Sequence, residues 1–398
     1  MDQSPMNPRE HRRDWYRESD CSIGDFVASV EAARETVGLR FAAQVQRSIP
    51  LYDCAALRAT LADAVGRPQL LAEWARVLLD GAGVFVLRRA YEDTSAVDEA
   101  TAVFESIIRH EREAGGGGGD HFAKAGANDR IWNAQEKLCL QAPEVFVRYF
   151  SNPMLVAAAQ AWLGPCFQVT SQVNVVRPGG QAQQAHRDYH LGFLTVEEAQ
   201  RFPAHVHTMS PFLTLQGAVA HSDMPVESGP TKLLPYSQRY APGYVAWRRQ
   251  DFRDYFESHC VQLPLEKGDA VFFSPALFHA AGSNHTQDVQ RMANLLQISS
   301  AYGRAMESLN RARMCNAVYP VLRRLRVQAR VTDEEVDAVI ASCAEGYPFP
   351  TNLDRNPPVD GLAPASQQRL FATALRADWP IERFAKTLQD LEVRNSMD

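Results

Sequence analysis

The sequence predicts a mainly β core, a double-sheet jelly roll, with helical additions before and after it. Two observations carry that expectation. Between residues 166 and 300 the apolar residues fall in short or alternating runs, near 167–176, 212–221, 231–235, 260–263, 270–273 and 292–299. Gly, Pro, Asp and Asn part these runs, the pattern of many short strands joined by turns. Before residue 80 and after residue 300 the apolar residues instead recur at spacings of three and four, which is helical.

Taken in order, residues 1–24 form a polar, charge-rich segment whose first few residues are expected to be disordered. Residues 25–80 read as helical, through Val27, Val30, Leu39, Phe41, Val45, Leu57, Leu61, Leu70 and Trp74. Gly81-Ala82-Gly83 ends that part, and Val84-Phe85-Val86-Leu87 is the first strand. Asp93 or Thr94 caps a helix through Val97, Phe104 and Ile107. Five consecutive glycines follow at 115–119, then His121, Phe122 and Lys124. Such a run is costly to order, so it reads as a surface loop or as a mobile lid over a substrate entrance. Residues 134–164 are helical again, with Pro153 opening the second part and Gly164-Pro165 as the stop. The aromatic-rich segment 238–259 reads as a helical arm beside the roll. Thr332-Asp333-Glu334-Glu335 is a capping box, and a proline-rich connection at 348–364 leads to helix over 366–393. The organisation expected is one domain over 25–300, with its jelly-roll core at about 165–300, and a helical extension over 301–398 packed on it.

Composition excludes several classes. The hydrophobic content of 45% and charged content of 22% are those of a globular protein. A formal net charge of −6 with no dominant basic block argues against nucleic acid as a partner. Arg323-Arg324-Leu325-Arg326 lies in a helical pattern and reads as a solvated face. No apolar run approaches the roughly 20 residues of a membrane span, so no membrane partner is expected. The polar start lacks the apolar core of a signal peptide. The seven cysteines are scattered, without any Cys-x-x-Cys, and read as reduced packing residues of a cytoplasmic protein.

The chemistry concentrates in Gln184-Ala185-His186-Arg187-Asp188-Tyr189-His190, just after the turn Arg177-Pro178-Gly179-Gly180. His186 and Asp188 are two apart, so on an extended backbone their side chains share a face. An imidazole and a carboxylate so placed can be two of the three ligands of a facial triad for non-haem Fe(II). The third must come from another strand, and His279, at the end of the run from Gly268, is the candidate. Arg291 then opens a further apolar run, Met292 to Ile298. Zinc would also accept two histidines and a carboxylate, which makes a hydrolase the chemical alternative, but His-Glu-x-x-His is absent.

His-x-Asp, a distant His and an Arg about ten residues on resemble the phytanoyl-CoA dioxygenase family of Fe(II)/2-oxoglutarate oxygenases. The segment Gln216-Gly217-Ala218-Val219-Ala220-His221-Ser222-Asp223, followed by Glu227-Ser228-Gly229-Pro230 and Pro235-Tyr236-Ser237, is similar to that family's intervening strand and Gly-Pro…Pro-x-Ser element. The resemblance covers roughly residues 80–300. It implies a cupin-like double-stranded β-helix, with Fe(II) on His186, Asp188 and His279, and 2-oxoglutarate and O2 as co-substrates. Arg291 would grip the distal carboxylate of 2-oxoglutarate, where a planar fork of donors suits a carboxylate better than an ammonium does. The family often has a small hydroxyl residue two after the distal His. Here Ala281 occupies it, so that contact is missing or moved to Ser283.

Gln172, Asn174 and Thr231 are polar residues on strands flanking the site, candidates for the other end of the co-substrate or for a solvent-facing role. Tyr189, His190, Phe193 and His221 are candidates to line the chamber of a small-molecule substrate. The resemblance implies hydroxylation of an unactivated C–H with release of succinate and CO2. Desaturation, epoxidation or ring formation on the same iron, and a non-catalytic binding protein with a vestigial site, remain as rivals. The helical additions are candidates to cover the site, to pair two copies as a homodimer, or both.

Overall fold

The computed structural model describes residues 14–32, 38–114 and 128–397. Its β core is an eight-stranded sheet in the order β1-β2-β3-β8-β6-β10-β5-β4. The strands are β1 (Gln44–Gln46), β2 (Ile49–Asp53), β3 (Val84–Arg88), β4 (Asn128–Ile131), β5 (Gln168–Val176), β6 (Thr214–Ala220), β8 (Ala270–Phe273) and β10 (Arg291–Ser299). Every neighbouring pair is antiparallel except β2 with β3. A second layer pairs β7 (Lys232–Leu233) with β9 (His279–Ala280). Single bridges widen it on both sides, His186 to His279 and Leu233 to Val261.

These pairings define the roll. Across the large sheet run β5-β10-β6-β8, and across the small one the His186 segment, β9, β7 and the Val261 segment. Along the chain the core therefore visits the large layer, the small, the large, the small twice, the large, the small and the large. That is the double-sheet jelly-roll winding, and it makes the chain a mainly β core with helical additions.

Because side chains alternate along a strand, the large sheet has two distinct faces. Val169, Val173 and Val175 of β5, Leu215 and Val219 of β6, Phe272 of β8 and Leu296 and Ile298 of β10 join one apolar cluster with the helices. Those helices include Gly66–Leu79, Ser95–Glu113, Pro143–Phe150 and Pro153–Leu163, and Arg311–Val327 and Asp333–Cys343 after the roll. The other face looks inward at the small layer, where Val84, Val86, Ala218, Val271 and Phe273 meet Leu233, Leu263 and Leu277.

Several expectations need correction. Residues 44–53 lie in the stretch read as helical, yet they form the β1–β2 hairpin. Its two-residue loop, Arg47-Ser48, has φ of 49° and 69°, a turn usually signalled by Asn-Gly or Asp-Gly, so the sequence hides it. β4 was also not foreseen. The 134–164 stretch is three helices, interrupted at Pro143 and Pro153, because each proline lacks the N–H that would continue the preceding turn. The first residues of the N-terminal segment, expected to be disordered, lie outside the described residues, and from residue 14 on it is docked: Arg249 Nη1 donates to the carbonyls of Glu18 and Cys21 at 3.2 and 2.6 Å. The glycine run at 115–119, with His121, Phe122 and Lys124, lies outside the described residues.

Other elements match. Asp93 accepts from the Ser95 backbone N–H at 2.9 Å at the start of its helix. The arm forms the short helices Gly243–Ala246 and Gln250–His259. Thr332 and Glu335 make the reciprocal capping box. Arg323 and Arg324 reach outward to Asp378 and Glu144. All seven cysteines are free thiols, and among the described residues no helix is long and apolar enough to cross a membrane.

Candidate metal centre

The segment carrying His186 and Asp188 runs antiparallel to the one carrying His279. Gln183 N–H donates to the Ala281 carbonyl at 3.0 Å, and Asp188 N–H to the Pro275 carbonyl at 3.1 Å. Between them His186 and His279 bond each other in both directions, at 3.0 and 3.2 Å. Residues that exchange both bonds stand directly opposite, with side chains on one face. Asp188, two residues on, joins the same face. The imidazole centroids are 4.4 Å apart, and Phe273 from the large sheet lies 4.8 Å from the His279 ring.

The ring nitrogens are sorted by the backbone. His186 Nδ1 lies 2.9 Å from the Gln184 carbonyl and His279 Nδ1 lies 2.9 Å from the Leu277 carbonyl. A carbonyl only accepts, so each Nδ1 carries the proton and each neutral ring offers its Nε2 lone pair. Both Nε2 atoms turn to Asp188, His186 at 3.6 Å from Oδ1 and His279 at 3.4 Å from Oδ2. All three ligand atoms lie within 4.8 Å of one another.

Charge completes the picture. Burial holds the His186 pKa below its usual value, helped by His279 and opposed by Asp188. Burial would raise the Asp188 pKa, but His186, His279 and the Gln216 amide outweigh it and hold it below the carboxylate range. Gln216 Nε2 donates to Asp188 Oδ2 from β6. One carboxylate and two imidazoles with Nε2 turned inward therefore converge as the donor set that a divalent transition metal requires.

Arg291 opens β10 on the inner face of the large sheet, the parity it shares with Ala293, Leu295 and Gln297. It is 7% exposed, and among the described residues no hydrogen bond or ion pair satisfies it. Burial alone lowers its pKa, to about 10. A buried guanidinium without a counter-charge is unfavourable, and a carboxylate is its natural complement. The donor set and this cation thus fit a metal together with a dicarboxylate.

The remaining candidates divide. Gln172 and Asn174 share the inner face, pairing with Leu295 and Ala293 of β10. Gln172 accepts from Arg130 Nη1 at 2.9 Å, whereas Asn174 Oδ1 is buried without a partner among the described residues. Thr231, expected in a strand over 231–235, stands just before β7 and outside it. Ser283 Oγ accepts from the Ala182 N–H at 2.9 Å, bracing the turn before the triad. Tyr189 is buried, with its hydroxyl unpartnered. His190 Nδ1 meets Ser210 Oγ at 3.2 Å, and Phe193 is 54% exposed beside Tyr189.

His221 corrects an expectation. It follows Ala220 by one residue, so it points to the helical side of the sheet and away from the triad. There it bonds Thr101 Oγ1 and Tyr149 Oη, each at 2.8 Å. Sequence reasoning also passed over Gln216 as a site residue. Its signal was available, a long amide in an otherwise small and apolar strand. Arg187, between the two ligands, is 2% exposed and donates to the Ser237 and Tyr240 carbonyls at 2.7 and 2.9 Å.

Comparison with known proteins bears on this centre. The model of the family described as phytanoyl-CoA dioxygenase (PhyH) matches residues 65–293. Dioxygenase trt7 of Aspergillus terreus is 30% identical over 121 residues, 30% of this chain and 37% of the relative. Dioxygenase FrzG of a Cladobotryum species is 27% identical over 126 residues, 30% of this chain and 37% of the relative. The chain thus spans little more than a third of the length of these curated relatives. Among solved structures, the non-haem α-ketoglutarate-dependent epimerase SnoN from nogalamycin biosynthesis has 18% identity and a TM-score of 0.39. That similarity covers 59% of this chain and 84% of the other.

Proposed function

The chain belongs to the phytanoyl-CoA dioxygenase family, and on that premise we propose that it is an Fe(II)/2-oxoglutarate-dependent dioxygenase that hydroxylates a C–H of a small-molecule substrate. One observation carries the reading: His186, Asp188 and His279 converge opposite an inner sheet face on which Arg291 is buried and, among the described residues, unpaired. When bound, Fe(II) with dioxygen and 2-oxoglutarate supplies an oxidative decarboxylation to succinate and CO2, coupled to oxidation of the substrate.

The chain's own residues prepare that chemistry. His186 and His279 present Nε2 because the Gln184 and Leu277 carbonyls hold Nδ1–H. Asp188 supplies the negative charge, and the Gln216 amide orients its carboxylate by donating to Oδ2. Arg291 neutralises the far carboxylate of the co-substrate. At its other end Asn174 is a better partner than Gln172, whose amide is already committed to Arg130 and Gln297. Ala218, Ala293, Leu295 and Val271 keep the space between apolar, which strengthens the carboxylate–guanidinium contact by excluding water.

The test is release of succinate from 2-oxoglutarate by protein reconstituted with Fe(II) under anaerobic conditions and then exposed to dioxygen. Iron-dependent succinate formation that accelerates with one member of a substrate library, with a hydroxylated product, is the expected result. Absence of succinate with stoichiometric iron bound would favour a binding protein.

A further inference from the structure

Beside Asp188 the inner face of the large sheet is polar, carrying Gln216, Gln172 and Gln297. Gln216, which holds Asp188, stands opposite Gln297 in the register of β6 and β10. Gln172 Nε2 donates to Gln297 Oε1 at 3.3 Å and to Glu307 Oε1 at 3.4 Å. Glu307 enters from the segment after β10, and its Oε1 also accepts the Asn133 N–H at 2.7 Å. The other oxygen, Oε2, is buried without a hydrogen-bond partner among the described residues.

Tyr189 shows the same incompleteness. It is 3% exposed, its Oη has no partner among the described residues, and it senses the charges of both Asp188 and Glu307. Its backbone is strained: φ is 63° and ψ 152° at Tyr189, and φ is 41° at His190. L-residues adopt such conformations only where the surroundings impose them, and they gather at ligand sites. Here two occur in succession directly after a candidate metal ligand.

We propose that Tyr189 Oη and Glu307 Oε2 are the specificity-determining pair for the primary substrate, which presents an amine or hydroxyl donor to the Glu307 carboxylate. The role of the triad in this proposal rests on the oxygenase reading above. An ionised carboxylate accepts and never donates. A wholly apolar substrate would leave both orphaned groups desolvated and unpaired, and a site built to bond a polar group rejects an analogue lacking it. The substrate class is therefore a small amine or polyol-like molecule, held at Glu307 beside Gln172 and Gln297 on the inner face that also carries Gln216.

The experiment uses three soluble probes of one shape on the metal-free full chain, followed by ligand-observed NMR: cyclohexylamine, cyclohexanol and cyclohexanone. The expected order is amine, alcohol, ketone, with the amine at least tenfold tighter than the ketone. Glu307→Gln abolishes the preference for the amine, and Tyr189→Phe weakens the alcohol several-fold. Thermal unfolding of both variants confirms that they are folded, and Glu307→Asp, which keeps the charge, restores part of the amine preference. Equal binding of all three probes, or an amine preference that survives Glu307→Gln, overturns the proposal. Succinate formation by the wild type is measured separately, so failure of the oxygenase reading and failure of this one are distinguishable.

Discussion

His186 and His279 bond each other's backbone in both directions, at 3.0 and 3.2 Å. That relationship places two candidate ligands from positions 93 residues apart side by side through backbone pairing. The centre is thus a property of how the small layer pairs, and side-chain truncation there should spare the fold.

Gln216 supports the centre from the opposite layer. Gln216→Leu removes the amide that orients Asp188 while keeping a residue of similar length in β6. Fe(II) affinity is expected to fall about tenfold or more, the usual effect of losing a partner behind a metal ligand, with little change in unfolding temperature. Competition against a colorimetric chelator measures it.

Arg291→Leu separates binding from stability. The half-saturating concentration of 2-oxoglutarate should rise by roughly two orders of magnitude, because a charge-assisted paired contact is lost. The same change should leave the co-substrate-free protein as stable or more stable, since an unpaired buried cation gives way to an apolar side chain. Calorimetry and thermal unfolding read the two effects.

His221 belongs to the helical face and should behave as a structural residue. Burial pushes its pKa down to about 3, against about 6.5 in an unfolded chain. Between those values the unfolded state binds the extra proton, so stability falls as pH is lowered from about 6.5 towards 3. One such group contributes a slope of at most about 1.4 kcal/mol per pH unit. His221→Gln should flatten that slope in denaturant titrations and leave Fe(II) affinity at pH 7 unchanged.

Gly243 is required by Arg187. A Cβ at that position would fall 2.0 Å from Arg187 Cζ, and Arg187 is clamped between Tyr244 and Phe278 rings at 5.1 Å. Gly243→Ala is expected to cost about 1–3 kcal/mol through overpacking. It should also weaken Fe(II) binding, because Arg187 sits between the two ligands of its own segment.

How much of this was legible beforehand follows from what each feature depends on. His186 and Asp188 share a face through strand alternation, a local rule, so their spacing alone suggested a site. His279 and Arg291 needed the order of motifs along the chain, which the resemblance supplied. The misreadings concern non-local choices. Arg47-Ser48 adopts a hairpin turn without the residues that usually announce one, and the face on which His221 lies depends on the register of β6. Glu307 was invisible for a related reason. It has no motif, and only the path of the chain after β10 brings it to Gln172.

The account turns on whether His186, Asp188 and His279 bind iron as a unit, and anaerobic titration of the purified protein with Fe(II) tests this most directly. One equivalent should bind to the wild type and none with comparable affinity to His186→Ala or His279→Ala, while circular dichroism shows all three folded. Full-affinity binding of iron by either variant would contradict it.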